Sequence, residues 1–289
     1  MGATISQNGG TIYFRQENNV TQHLSDDSTS WMDVSGVQFP IVIENTSSEN
    51  NVLTVKFTTD MVFTVDQYFI CRTPYIKFDG LKDDGNRATI SFNNVSNCPG
   101  LIQNGNSGTN GYSNITVQNI HVESLGTTTL SYSAGWVCHS YFGRSSSNVL
   151  IDNCSSSGDI NGQYVGGICG LGVGYGNGTV EITNCYSTGQ ISGTHAGGIC
   201  GPYAGQDNGT VEITNCYSTG RISGRYVGGI CGLGVGYGNG TVEITYCYST
   251  GQISGDFSGG ICGSFAGQDN GTITISNCYS TGQISGWRQ

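Results

Sequence analysis

Several kinds of residue in this chain recur at intervals that chemistry could use. Glu181, Glu212 and Glu243 stand 31 residues apart. If those positions stack, three like carboxylates share one face. Either water and splayed rotamers screen them, which is the simpler expectation, or a cation such as Ca²⁺ bridges them, which makes them the metal-site candidate. Asp207 and Asp269 recur at twice that interval and are poorer ligands for a shared ion. The densest charged cluster is Lys77-Phe78-Asp79-Gly80-Leu81-Lys82-Asp83-Asp84. Polysaccharide cleavage would need positioned carboxylates of this kind, but the cluster reads as an ordinary solvated turn. His23, His121, His139 and His195 are isolated, without metal-ligand spacing. No catalytic residue and no cofactor is expected.

Sulfur is the other abundant functional group. Of the 12 cysteines, ten form two interleaved series, Cys138, Cys169, Cys200, Cys231, Cys262 and Cys154, Cys185, Cys216, Cys247, Cys278. An even count fits a disulfide framework, and stacked coils bring equivalent Cα atoms near the roughly 4.4–6.8 Å a disulfide needs. The repeat alone explains the spacing, however, so buried free thiols serving as small apolar rungs are expected. No C-x-x-C pair occurs, which argues against zinc.

What must position these groups is a 31-residue repeat. Gly166-Gly167-Ile168-Cys169-Gly170 returns at 197–201, 228–232 and 259–263, and Asn184-Cys185-Tyr186-Ser187-Thr188-Gly189 returns from Asn215, from Tyr246 and from Asn277. Residues 134–138 and 149–154 are a degenerate copy in the same register. Leu171–Gly178 recurs at 233–240 and Ala204–Asn208 at 266–270, so two unit types alternate every 62 residues. In Thr179-Val180-Glu181-Ile182-Thr183 apolar and polar residues alternate, the mark of a half-buried strand. Glycines interrupt any 3.6-residue periodicity, so no helix is expected. One unit cannot bury its own apolar face, but stacked units can, at about 4.8 Å per coil. The expected fold is all-β, a parallel β-helix (β-solenoid) with an irregular N-terminal cap.

That fold assigns side chains. Val180, Ile182, Cys185 and Ile191 point inward. Asn153, Asn184, Asn215 and Asn277, joined upstream by Asn94 and Asn119, form a turn ladder of side-chain amides, with Tyr246 interrupting it. Tyr186, Tyr217, Tyr248 and Tyr279 stack on the outside, a face on which a glycan could bind. Upstream, Ser113–Val122 has the same alternation, Thr89–Asn94 reads as a weaker version of that strand, and Tyr75–Gly80 as an earlier strand and turn. Gln7-Asn8-Gly9-Gly10 is a hairpin-type turn signal between Thr4-Ile5 and Thr11–Phe14. The organisation is thus 1–40 as cap or assembly segment, 41–131 as irregular coils and 132–289 as regular coils.

Composition closes off other classes. A net charge of −10 with only 10 Lys and Arg opposes nucleic-acid binding, which needs clustered cations. Sixteen Tyr and ten Phe oppose disorder. No apolar run approaches the roughly 18 residues of a transmembrane segment, and no secretory signal is recognised at the N-terminus. Met1-Gly2-Ala3-Thr4-Ile5-Ser6 fits the short N-myristoylation pattern. Asn-x-Ser/Thr sequons at Asn19, Asn45, Asn94, Asn114, Asn153, Asn177, Asn208, Asn239 and Asn270 are read as turns first.

The unit Gly-Gly-Ile-Cys-Gly followed by Asn-Gly-Thr-Val-Glu-Ile-Thr-Asn-Cys-Tyr-Ser-Thr-Gly-Gln-Ile-Ser-Gly, over about 132–289, resembles the GLUG-type repeats of bacterial surface and adhesin proteins. Gln67–Ile70, Gly100–Gly105 and Gly111–Thr116 are similar to repeat proteins encoded by large DNA viruses of amoebae. These resemblances imply a right-handed parallel β-helix and a place in a virion or on an extracellular surface, and they carry over no catalytic residue. The expected function is structural and non-enzymatic: self-association through coil ends or faces into an array or fibre, with other copies or other structural proteins as partners. The chain stops directly after a complete repeat, which leaves an end for such contacts. A glycan-binding adhesin is the alternative and a polysaccharide-degrading enzyme the third reading.

Overall fold

The computed structural model describes residues 3–25, 28–34, 40–47, 51–65 and 67–285. The acylation motif at Met1-Gly2 and the terminus Trp287-Arg288-Gln289 lie outside them. Among the described residues there is no helix, and strands stack in parallel into a β-solenoid with three sheets of eleven, eight and four strands. The core between the sheets is a continuous column of Ile, Val, Phe and Cys.

The 31-residue period sets the register. Thr179–Thr183 pairs residue for residue with Thr210–Thr214, which pairs likewise with Thr241–Thr245. Val180, Ile182, Cys185 and Ile191 are all buried. The four-stranded sheet ends at Ile102–Gln103, and single bridges Ile102 to Cys138, Cys138 to Cys169, Cys169 to Cys200 and Cys200 to Cys231 continue its line.

The Gly-Gly pair has a distinct reason at each position. A Cβ on Gly197 would lie 2.0 Å from the Cys200 carbonyl oxygen and 2.5 Å from the Gly232 nitrogen, so the backbone itself occupies that space. A Cβ on Gly198 would lie 2.1 Å from the Gly229 carbonyl oxygen of the next coil and 2.6 Å from the Ser218 Cβ, 20 residues on. Close backbone approach, rather than turn geometry, demands glycine here.

The two-unit alternation is a volume match between successive coils. The Tyr203 ring lies over Gly234, where a Cβ would meet it at 2.6 Å, and the Tyr141 ring covers Gly172 in the same way. The Asp207 carboxylate likewise lies over Gly238, 2.6 Å from where a Cβ would stand. Each bulky residue therefore requires a small one in the next coil.

Three expectations for the first half need correction. Gln7–Gly10 is a corner of the first coil and not a hairpin, because Thr4–Gln7 pairs in parallel with Ile41–Asn45 and Gly10–Glu17 in parallel with Leu53–Phe57. The hairpin lies one turn later. Gly10–Glu17 pairs antiparallel with Val20–Ser25 across Asn18-Asn19, whose φ values of 53° and 63° suit a two-residue primed turn. Val20–Ser25 and Met32–Asp33 then cover the outer edge of the eleven-stranded sheet, an edge that would otherwise invite pairing. Further along, Ala88–Asn93 pairs with Ile120–Leu125 in the eight-stranded sheet. Thr89–Asn94 is thus no version of the Thr179–Thr183 strand, and Asn94 stands outside the asparagine column. Its carboxamide oxygen accepts the Thr127 N–H at 3.1 Å instead.

Candidate functional site

The corner Asn-Cys-Tyr-Ser is where the most polar groups converge. Asn119, Asn153, Asn184, Asn215 and Asn277 all have φ between 49° and 58°, the left-handed turn that asparagine tolerates better than most residues. Tyr246 adopts the same conformation at 53°. The amide ladder is broken by aspartates. Asn153 donates to the Asn119 carboxamide oxygen at 2.8 Å and Asn215 to that of Asn184 at 3.5 Å, but Asn184 turns to the Asp152 carboxylate at 2.7 Å and Asn119 to that of Asp79 at 2.9 Å. A carboxylate is the stronger acceptor and wins where one is in reach. The sequon asparagines other than Asn45 also have positive φ, in keeping with turns.

The next residue turns inward. The Cys185 thiol sulfur accepts the Cys154 N–H at 3.4 Å and donates to the Thr183 carbonyl at 3.1 Å; Cys216 does the same for the Cys185 N–H, Cys247 for that of Cys216 and Cys278 for that of Cys247. The sharp corner leaves these N–H groups without a backbone acceptor, and sulfur supplies one. None of the twelve cysteines forms a disulfide, and all but Cys262 and Cys278 are buried. Burial pushes the Cys138, Cys169 and Cys185 thiols up, which suppresses the thiolate that reagents attack. An aromatic-disulfide exchange titration of the native protein is expected to find at most two reactive thiols and to find all twelve after unfolding in guanidinium. A total short of twelve would reveal disulfides.

Outside, Tyr186, Tyr217, Tyr248 and Tyr279 form a column with ring centroids 4.8, 4.9 and 5.1 Å apart and planes within 4° of parallel. Their spacing is that of the coils, so each ring face is covered by the next ring. Arg87 closes the column: its guanidinium donates to the Tyr186 hydroxyl at 2.7 Å and to the Asn153 carbonyl at 3.2 Å. Burial alone would raise the Tyr186 phenol, but its hydrogen bonds to Ser155 and Arg87 outweigh it and hold it below its ordinary value.

No family model, curated protein or solved structure matches this chain. The site must therefore be read from its own chemistry.

Glu181, Glu212 and Glu243 are exposed and in register on the outer face of the eleven-stranded sheet, flanked by Leu150 and Thr274. Among the described residues no group of three His, Cys, Asp or Glu is arranged to hold a metal ion. In the 77–84 cluster the charges neutralise one another. Lys77 pairs with Asp79 at 3.1 Å, Lys82 with Asp60 at 3.0 Å and Lys56 with Asp83 at 3.1 Å. Burial would raise Asp79, but the Asn119 amide, the Leu81 N–H and the Lys77 ammonium outweigh it and set its carboxyl low. The Asn86 N–H and side chain lower that of Asp84. A general acid needs the opposite shift.

A second aromatic column escaped the sequence reading. Tyr164, His195, Tyr226 and Phe257 stack at 4.7, 5.2 and 5.0 Å with planes within 15° of parallel, and all have φ between 55° and 62°. Such φ values are unusual for bulky residues, and the stacking offsets their cost. His195, isolated in sequence, is thus a stacking rung in space. His139 stacks on Tyr68 at 4.9 Å, and burial pushes its pKa down to about 4. The period of 31 was the available signal, hidden because the column changes letter at every coil.

Proposed function

We propose that this protein is a structural, non-enzymatic solenoid of a virion or extracellular surface layer that associates with other copies into a larger array. One observation carries the reading: the repeated groups are spent on one another. Tyrosine faces cover tyrosine faces, thiols hold the backbone of the adjacent coil, and corner amides bond amides or aspartates. That arrangement commits the corner and ring groups of each coil to its neighbours rather than to a substrate. The virion or surface location rests on the GLUG-type and amoebal-virus resemblances of the repeat unit.

Self-association rests on the same resemblances to surface and virion repeat proteins. Light scattering across a concentration series, with negative-stain electron microscopy, is expected to show species larger than the 30.4 kDa chain as particles or fibres. A monodisperse monomer at the highest concentration would overturn the assembly reading. The adhesin reading is weaker along the tyrosine column, because sugars stack on ring faces and those faces are occupied. The enzyme reading is weaker because the candidate aspartates are ion-paired or lowered in pKa.

A further inference from the structure

A single cation sets apart one polar cleft. Lys56, Lys77 and Lys82 are tied to aspartates and Arg15 to Glu17. Arg87 and Arg144 donate to carbonyls, Arg221 to the Ser254 hydroxyl, and Arg225 lies over Tyr226 and Phe257. Among the described residues Arg72 alone has a guanidinium without an ion pair, hydrogen bond or ring contact. It is exposed, and it lines a cleft of about 250 Å³ together with Gln103, Asn106, Thr109, Asn110 and Tyr112.

The cleft is built by a loop that occurs once, in the irregular coils, so it has the asymmetry that the repeats lack. Asn104, fully buried, fastens the loop: its amide donates to the Tyr112 carbonyl at 2.9 Å and its oxygen accepts the Tyr112 N–H at 2.7 Å. The Asn106 oxygen accepts the Gly108 N–H at 2.8 Å and the Thr109 N–H at 2.9 Å. Arg144 grips the carbonyls of Asn106 and Ser107. A loop held on both sides is preorganised, which lowers the entropic cost of binding.

We propose that this cleft binds one acidic sugar residue of the uronate class. The Arg72 guanidinium presents the planar donor fork that a carboxylate fits. Around it, Gln103, Asn106, Asn110 and Thr109 supply the amide and hydroxyl groups that ring hydroxyls require. The volume falls just below the roughly 300 Å³ at which pockets for drug-sized ligands begin, which suits a single ring better than a chain. In a protein of net charge −10, an unneutralised guanidinium among amides favours an anion over a neutral ligand.

Isothermal titration of the full chain with galacturonate, galactose and inorganic sulfate tests this. Galacturonate is expected to bind in the millimolar range and galactose at least about tenfold more weakly, because a charge-assisted pair is lost. Arg72→Met should weaken galacturonate at least about tenfold while the unfolding midpoint stays unchanged, since the side chain is exposed. Asn110→Ala should weaken galacturonate severalfold and leave sulfate unaffected. Equal binding of sulfate and galacturonate would overturn the sugar assignment in favour of a plain anion site. Equal binding of galactose, no binding of galacturonate, or unchanged affinity in Arg72→Met would overturn the role of Arg72. The oligomeric state enters none of these readouts, so the proposal stands or falls apart from the assembly reading.

Discussion

Gly197→Ala is expected to lower the unfolding midpoint by roughly 6–12 °C, at about 2–4 °C per kcal/mol for a domain of somewhat smaller size. The added methyl would stand 2.0 Å from the Cys200 carbonyl oxygen, 2.5 Å from the Gly232 nitrogen and 2.9 Å from the Cys231 carbonyl carbon. All three are backbone atoms, two of them in the next coil, so no rotamer change relieves the contact. The coils must separate locally and lose ladder hydrogen bonds such as Gly197 N–H to Val165 O at 3.1 Å. Overpacking typically costs about 1–3 kcal/mol, and a backbone clash belongs at the upper end. Gly108→Ala is the matched control. Its Cβ would meet nothing closer than the Asn106 oxygen at 3.6 Å, so its effect should remain within about 0.5 kcal/mol. Calorimetry of the two variants decides the matter: equal midpoints would mean that the coils are not packed as closely as described.

Cys216→Ala should cost about 2–3 kcal/mol and Cys216→Ser about 1 kcal/mol, measured by guanidinium unfolding. The alanine variant removes the sulfur that accepts the Cys185 N–H at 3.4 Å and donates to the Thr214 carbonyl at 3.3 Å. It leaves a buried donor without a partner, which costs about 1–3 kcal/mol, and a small void besides. Serine keeps a group that can both accept and donate. Equal losses for the two variants would reduce the thiol to a filler of volume, and the corner cysteines would need another explanation.

The regular coils were legible because equal letters at equal intervals can only stack on themselves. Val180, Ile182 and Cys185 went inward as the alternation required, and the Tyr186 column formed outside. The 77–84 cluster was legible only in part as a turn: Lys77, Phe78 and Asp79 belong to the strand Ile76–Asp79, and Asp83 and Asp84 to the turn beyond it. What escaped was everything in which position and letter part company. Ile76 pairs with Ile115 and Ile115 with Val149, so the period there is 39 and then 34 residues, and no single spacing could assign Thr89–Asn94 to its sheet. The Tyr164 to Phe257 column changes from tyrosine to histidine to phenylalanine, which hides a shared ring geometry behind different residue types. The cleft at Arg72 was invisible for a related reason: its lining comes from 70–72 and 103–112, brought together only by the pairing of Phe69–Cys71 with Ile102–Gln103.

The amino-acid order alone settled that this chain is a stack of parallel β coils, which residues of its regular coils face the core, and that its sulfur lies in columns, because a strict period converts linear spacing into vertical alignment. The folded molecule alone decided which groups are already engaged and which are left over. A hydrogen bond, a ring contact or an ion pair acts over a few ångströms in space, and its partners here lie up to 99 residues apart along the chain.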